Sequence, residues 1–98
     1  MIKPSAFRLL SPKSMDDASI TDYQVSGLDV HSLFCSKCGT HAFHKGNIEQ
    51  IGGPFVSVNV ACLDDLSAKE MSGLSIKYQD GRNNAWWNEP PADETKHL

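Results

Sequence analysis

Long hydrophobic runs are missing from this 98-residue chain; its longest apolar stretches are only a few residues, so nothing in it is fit to span a membrane as a helix. Basic charge is scarce as well. Nine Lys and Arg stand against twelve Asp and Glu, a net charge of −3, which argues against a surface that tracks nucleic-acid phosphates. Met1-Ile2-Lys3-Pro4-Ser5 lacks the apolar stretch and cleavage site of a secretory signal. Cysteine is limited to three residues, an odd number that makes a disulfide framework a poor fit. Together these absences predict a reduced, cytoplasmic protein with neither nucleic acid nor membrane as partner. Internal repeats, low-complexity blocks and long runs of one charge are also lacking.

What remains is an ordinary globular composition, 40% hydrophobic and 21% charged, in a chain long enough for one small domain. Short apolar or alternating segments separated by turn residues predict a mostly β fold. Ala6–Leu10 reads as a short strand stopped by Pro12, followed by strands at Thr21–Val25, Leu28–Phe34 and Thr40–His44. Lys45-Gly46-Asn47 reads as a hairpin turn, and Ile51-Gly52-Gly53-Pro54 as a loop without the glycine pattern of a phosphate cradle. Phe55–Cys62 alternates most clearly, with Val56, Val58, Val60 and Cys62 on one face. A short helix capped by Asp64 or Asp65 and ended by Gly73 is expected next, then a strand at Leu74–Tyr78 and a turn at Asp80–Asn84. Residues 1–88 form the expected domain and 89–98 a flexible tail.

A chain of this size builds a small core and usually needs a staple. Cys35-Ser36-Lys37-Cys38-Gly39, set between two strands, supplies one. Two thiolates at this spacing can face one cation while turn N–H groups donate to the sulfurs, and zinc suits soft, redox-inert thiolate ligation. Cys35 and Cys38 are therefore the metal candidates; a redox pair and unliganded cysteines stay open as alternatives. The remaining two ligands are not evident. Cys62 reads as a buried core thiol on a valine face. His41 and His44 lie three and six residues beyond Cys38, but on a regular strand they point to opposite faces, so only a bulge would bring both round. His31 precedes the turn, and His97 lies in the tail.

Other features have simpler readings beside their functional ones. Asp64-Asp65 could be an acid–base pair but reads as helix-capping acid. Trp86-Trp87, with Asn83, Asn84 and Asn88, could line a ligand groove, although such tryptophans more often cover a core edge.

Phe34-Cys35-Ser36-Lys37-Cys38-Gly39-Thr40-His41 resembles the FCxxCG(x)H signature of the glutathione-dependent formaldehyde-activating enzyme family, also called the CENP-V/GFA domain. The segments Gly52–Asp64 and Asp80–Asn88 resemble a branch of the same family, as does Phe7-Arg8-Leu9-Leu10 followed by Tyr23. The resemblance runs from about Pro4 to Asn88. It implies an Mss4-like β-tent, with small antiparallel sheets around a CxxC zinc knuckle and one short helix. It further implies zinc and a carbon–sulfur lyase reaction joining glutathione and formaldehyde to S-hydroxymethylglutathione, with a glutathione adduct or another small thiol or aldehyde as substrate.

In that family the pair matching Cys35 and Cys38 completes a four-cysteine structural zinc site with a C-x-C motif nearer the amino terminus. Three further cysteines there hold the catalytic zinc. Neither motif is present here, so the chain looks like the carboxy-terminal portion of such a domain, an incomplete tent without catalytic ligands. The enzyme assignment is left open by this departure. Three readings follow: a lyase relative inactive alone, a non-catalytic zinc-stapled module joined as a homodimer through a shared zinc, and a metal-free ligand-binding domain using the Trp86-Trp87 region.

Overall fold

A computed structural model describes residues 1–95. The chain divides into two compact units, Met1–Asp65 and a second from Leu66 onward, each described by itself. The first is built on one antiparallel sheet of four strands in sequence order: β1 (Ile20–Gln24), β2 (Val30–Cys35), β3 (His41–Ile48) and β4 (Gly53–Val58). A mostly β fold is what the turn-punctuated sequence predicts. No helix among the described residues is long and apolar enough to cross a membrane.

Register sorts the side chains. Opposed pairs Asp22–Leu33, Leu33–Phe43 and Phe43–Val58 run across all four strands and place Leu33, Phe43 and Val58 on one face. Leu33, Phe43 and Val56 form the buried cluster there, and Phe7, Leu9, Met15, Ile20 and Val58 pack against it. Phe7 packs on Phe43 with ring centroids 4.8 Å apart and the rings tilted by 41°. Only these three and Phe55 are buried among the described residues. At about 1.5–3 kcal/mol for each fully buried apolar side chain, so small a core leaves stability modest.

Several sequence expectations need correction. Ala6–Leu10 forms no strand: Pro4–Ala6 is a 3-10 turn, and Phe7 and Leu9 lie over the core face instead. Edge pairing at that end falls to Ile2, which exchanges two backbone hydrogen bonds with Val56, at 2.7 and 2.9 Å. Lys45-Gly46-Asn47 is no turn but the middle of β3. Its amides and carbonyls have partners on both sides, because Val30 pairs with Gly46 and Gly46 with Phe55. The reversal comes later, at the 3-10 turn Glu49–Ile51, where Gly52 and Gly53 adopt φ of 100° and 95°.

The strand expected over Phe55–Cys62 stops at Val58. Asn59 ends it: its side chain accepts from the Ala61 amide at 3.1 Å and turns Val60–Cys62 into a 3-10 turn. Cys62 is consequently exposed, not a core thiol.

In the second unit an α-helix, α1 (Ala68–Ser72), is capped by Ser67 and not by Asp64 or Asp65. Ser67 Oγ accepts from the Glu70 amide at 3.1 Å, the N-cap bond, and donates to Glu70 Oε1 at 2.9 Å, which ties the two side chains together. Gly73 closes the helix as expected. Leu74–Tyr78 is not a strand. Asp80 and Ala85 form a single bridge around the expected turn, and Ala92–Thr95 is a 3-10 turn.

Candidate metal-binding turn

Cys35 is the last residue of β2 and Cys38 sits three residues on, in the turn to β3. The Gly39 amide donates to the Cys35 carbonyl at 2.8 Å, and the Cys35 amide donates to the Thr40 carbonyl at 3.0 Å. Gly39 has φ of 77°, the left-handed conformation that a side-chain-bearing residue would hold at a cost, and this curls the loop back on itself. The turn is tied to β1 by the Ser36 amide donating to the Ser19 carbonyl at 2.9 Å and by a Thr21–Ser36 hydroxyl pair at 2.7 Å.

This folding sets the two thiols side by side. Cys38 Sγ lies 3.2 Å from Thr40 Oγ1. The Thr40 hydroxyl, then the Thr40 amide, then the Cys35 thiol hold the Cys38 thiol below the range of an ordinary cysteine. Donors aimed at sulfur favour the thiolate, which is the form that ligates metal. Cys38 is exposed and Cys35 half-buried, both free thiols. The pair fits half of a four-thiolate zinc site in its chemistry and spacing. Among the described residues no third His, Cys, Asp or Glu joins it.

The other candidates are placed elsewhere. Cys62 Sγ points at the His41 carbonyl, 3.6 Å away, which the Asn59 side-chain amide also reaches at 3.0 Å. His41 and His44 do come together, contrary to the alternation rule. Leu33 pairs with Phe43 but Phe34 with His41, so Ala42 is an extra residue that bulges β3. The two imidazoles stack at 5.8 Å, and Phe34 lies 4.9 Å from His41, on the sheet face away from the core. His31 is held by Asp22 across the β1–β2 ladder, with Nδ1 at 2.8 and 2.9 Å from its two carboxylate oxygens. His97 lies outside the described residues.

The tryptophan region is closed on itself. Trp86 Nε1 donates to Asn84 Oδ1 at 2.9 Å, and the Asn83 side-chain amide donates to the Asp80 carboxylate at 2.8 and 3.1 Å. Two of the amides expected to line a groove thus serve the turn itself.

The Asp22–His31 pair and the neighbouring Lys45 are features that sequence reading passed over. Nine residues separate Asp22 from His31, and only the strand register makes them neighbours. No family model, no curated protein and no solved structure matches the chain.

Proposed function

We propose that this chain is a zinc-binding protein related to the carbon–sulfur lyases of the glutathione-dependent formaldehyde-activating family, without lyase activity of its own. The observation that carries the reading is the Cys35–Cys38 turn, two adjacent thiols with Thr40 donors aimed at the exposed one. The family relation rests on the sequence resemblance around that turn, and the Mss4-like tent belongs to the same proposal. A reduced, cytoplasmic setting goes with it. Lyase chemistry of this kind needs an open-site zinc to polarise the aldehyde oxygen and hold a thiolate for attack. Beyond the pair, the sequence offers only Cys62, so a three-cysteine catalytic site has no source within it.

Two chains, each contributing Cys35 and Cys38, would complete four thiolate ligands around a two-fold axis. This is the second reading, a zinc-bridged homodimer, favoured by the exposure of Cys38. Zinc content and assembly mass of Cys35→Ser and Cys38→Ser test both. Each variant is expected to lose zinc and run as a monomer; zinc retained by both would overturn the ligand assignment, and a zinc-free dimer would overturn the bridge. With glutathione and formaldehyde the chain is expected to add nothing to the spontaneous rate, and a chelator-sensitive acceleration would contradict that.

A further inference from the structure

A cavity of about 400 Å³ opens at the Asp29 end of the core face, within the size range of small-molecule sites. Phe7, Leu9 and Met15 give it apolar walls, and Asp29, His31 and Lys45 give it polar ones. The register explains the grouping. His31 opposes Lys45, and the Asn47 amide donates to the Asp29 carbonyl at 2.9 Å, extending the β2–β3 ladder by one more pair. Alternation then puts Asp29, His31 and Lys45 on the same side of the sheet.

The charges there are arranged in an unusual way. Asp22 takes His31 Nδ1 at 2.8 Å and so fixes the ring, which opposes Lys45 across the β2–β3 ladder. His31 Nε2 stands 3.5 Å from Asp29 Oδ1, too long for a good hydrogen bond. Lys45 is half-buried and pairs with no acidic side chain among the described residues. Asp29 and Lys45 are diagonal neighbours on adjacent strands, an arrangement that spans roughly 7–8 Å between backbones. One anion and one cation thus flank an apolar cavity without meeting.

A simple organic anion would meet Lys45 but also the carboxylate of Asp29, and a simple cation would face the reverse conflict. The geometry points to a small zwitterion with an apolar body, of the class of free α-amino acids with aliphatic side chains. Its carboxylate takes Lys45, its ammonium takes Asp29, and its side chain lies against Phe7, Leu9 and Met15. This site is separate from the Cys35–Cys38 turn and does not depend on zinc.

Amide NMR of the full chain, titrated with L-leucine, 4-methylpentanoate and 3-methylbutylamine, tests it. L-Leucine is expected to give saturable shifts centred on Asp29, His31, Lys45 and Gly46, with a dissociation constant on the order of millimolar. The two half-ligands should bind at least about tenfold more weakly, and so should L-leucine to Lys45→Met and to Asp29→Asn. No saturable shift, or shifts scattered away from the cavity, would overturn the proposal. So would 4-methylpentanoate or 3-methylbutylamine binding as tightly as L-leucine. The half-ligand comparison uses the unaltered protein, so it stands even where a variant folds poorly.

Discussion

Cys38 is open to solvent, so the donors around its sulfur, and not burial, set its chemistry. Thr40 supplies two of them, the hydroxyl at 3.2 Å and its amide. The direction follows from charge: donors stabilise the thiolate, so the thiolate persists to lower pH than for a free cysteine and is lost as pH falls through that lowered value. Thr40→Val removes the hydroxyl and keeps the size. In the metal-stripped chain, the midpoint of Cys38 alkylation against pH should lie below that of an ordinary thiol, and Thr40→Val should move it upward. An unchanged midpoint would contradict the role given to Thr40. The Cys35–Cys38 pair was legible in the sequence because its spacing is local and Gly39 marks the turn. Asp22, His31 and Lys45 were not, because their proximity is created by strand pairing between residues distant in sequence.

At the scale of elements, the β3 bulge and the close packing at Gly46 shape the sheet. The bulge at Ala42 undoes the two-residue alternation between His41 and His44, and Asn59 holds the backbone there from the β4 side: its amide N–H donates to the Ala42 carbonyl and its side-chain amide to the His41 carbonyl. Sequence periodicity has no mark for an inserted residue of this kind. The same limit hid the end of β4, where alternation continues through Cys62 but Asn59 turns the backbone at Val58. Lys45-Gly46-Asn47 looked like a turn on composition, yet Gly46 is needed for close approach. A Cβ there would press on the Asp29 carbonyl oxygen and lie 3.0 and 3.1 Å from two atoms of the Phe55 ring. Backbone gives way less readily than a flexible side chain, so Gly46→Ala should destabilise the chain by about 1–3 kcal/mol, read from chemical denaturation. A neutral result would mean that the β2–β3 pairing is looser than described.

Across the whole molecule, the balance between core and chain length governs what else is required. Among the described residues burial is confined to Leu33, Phe43, Phe55 and Val56, on a sheet that a handful of partly buried neighbours covers. Domains of this size commonly draw added stability from a metal or a partner chain. Composition and turn residues made the β class legible, because short alternating segments leave few other ways to bury apolar surface. They carry no mark of assembly beyond the half-complete cysteine pair that raises the shared-zinc dimer, since pairing through an ion or a strand edge needs a second chain. The outer edge of β4 is partly covered by Ile2, whereas that of β1, beside the cysteine turn, has no strand partner among the described residues. Zinc held between two turns would therefore stabilise the fold and the pairing together, and chelation should lower the melting temperature and the assembly mass in step. Native mass spectrometry of the reduced, metal-replete protein reads zinc per chain and assembly mass at once. The account predicts one zinc per dimer; a monomer free of zinc would contradict it, and a monomer holding its own zinc would contradict the shared site.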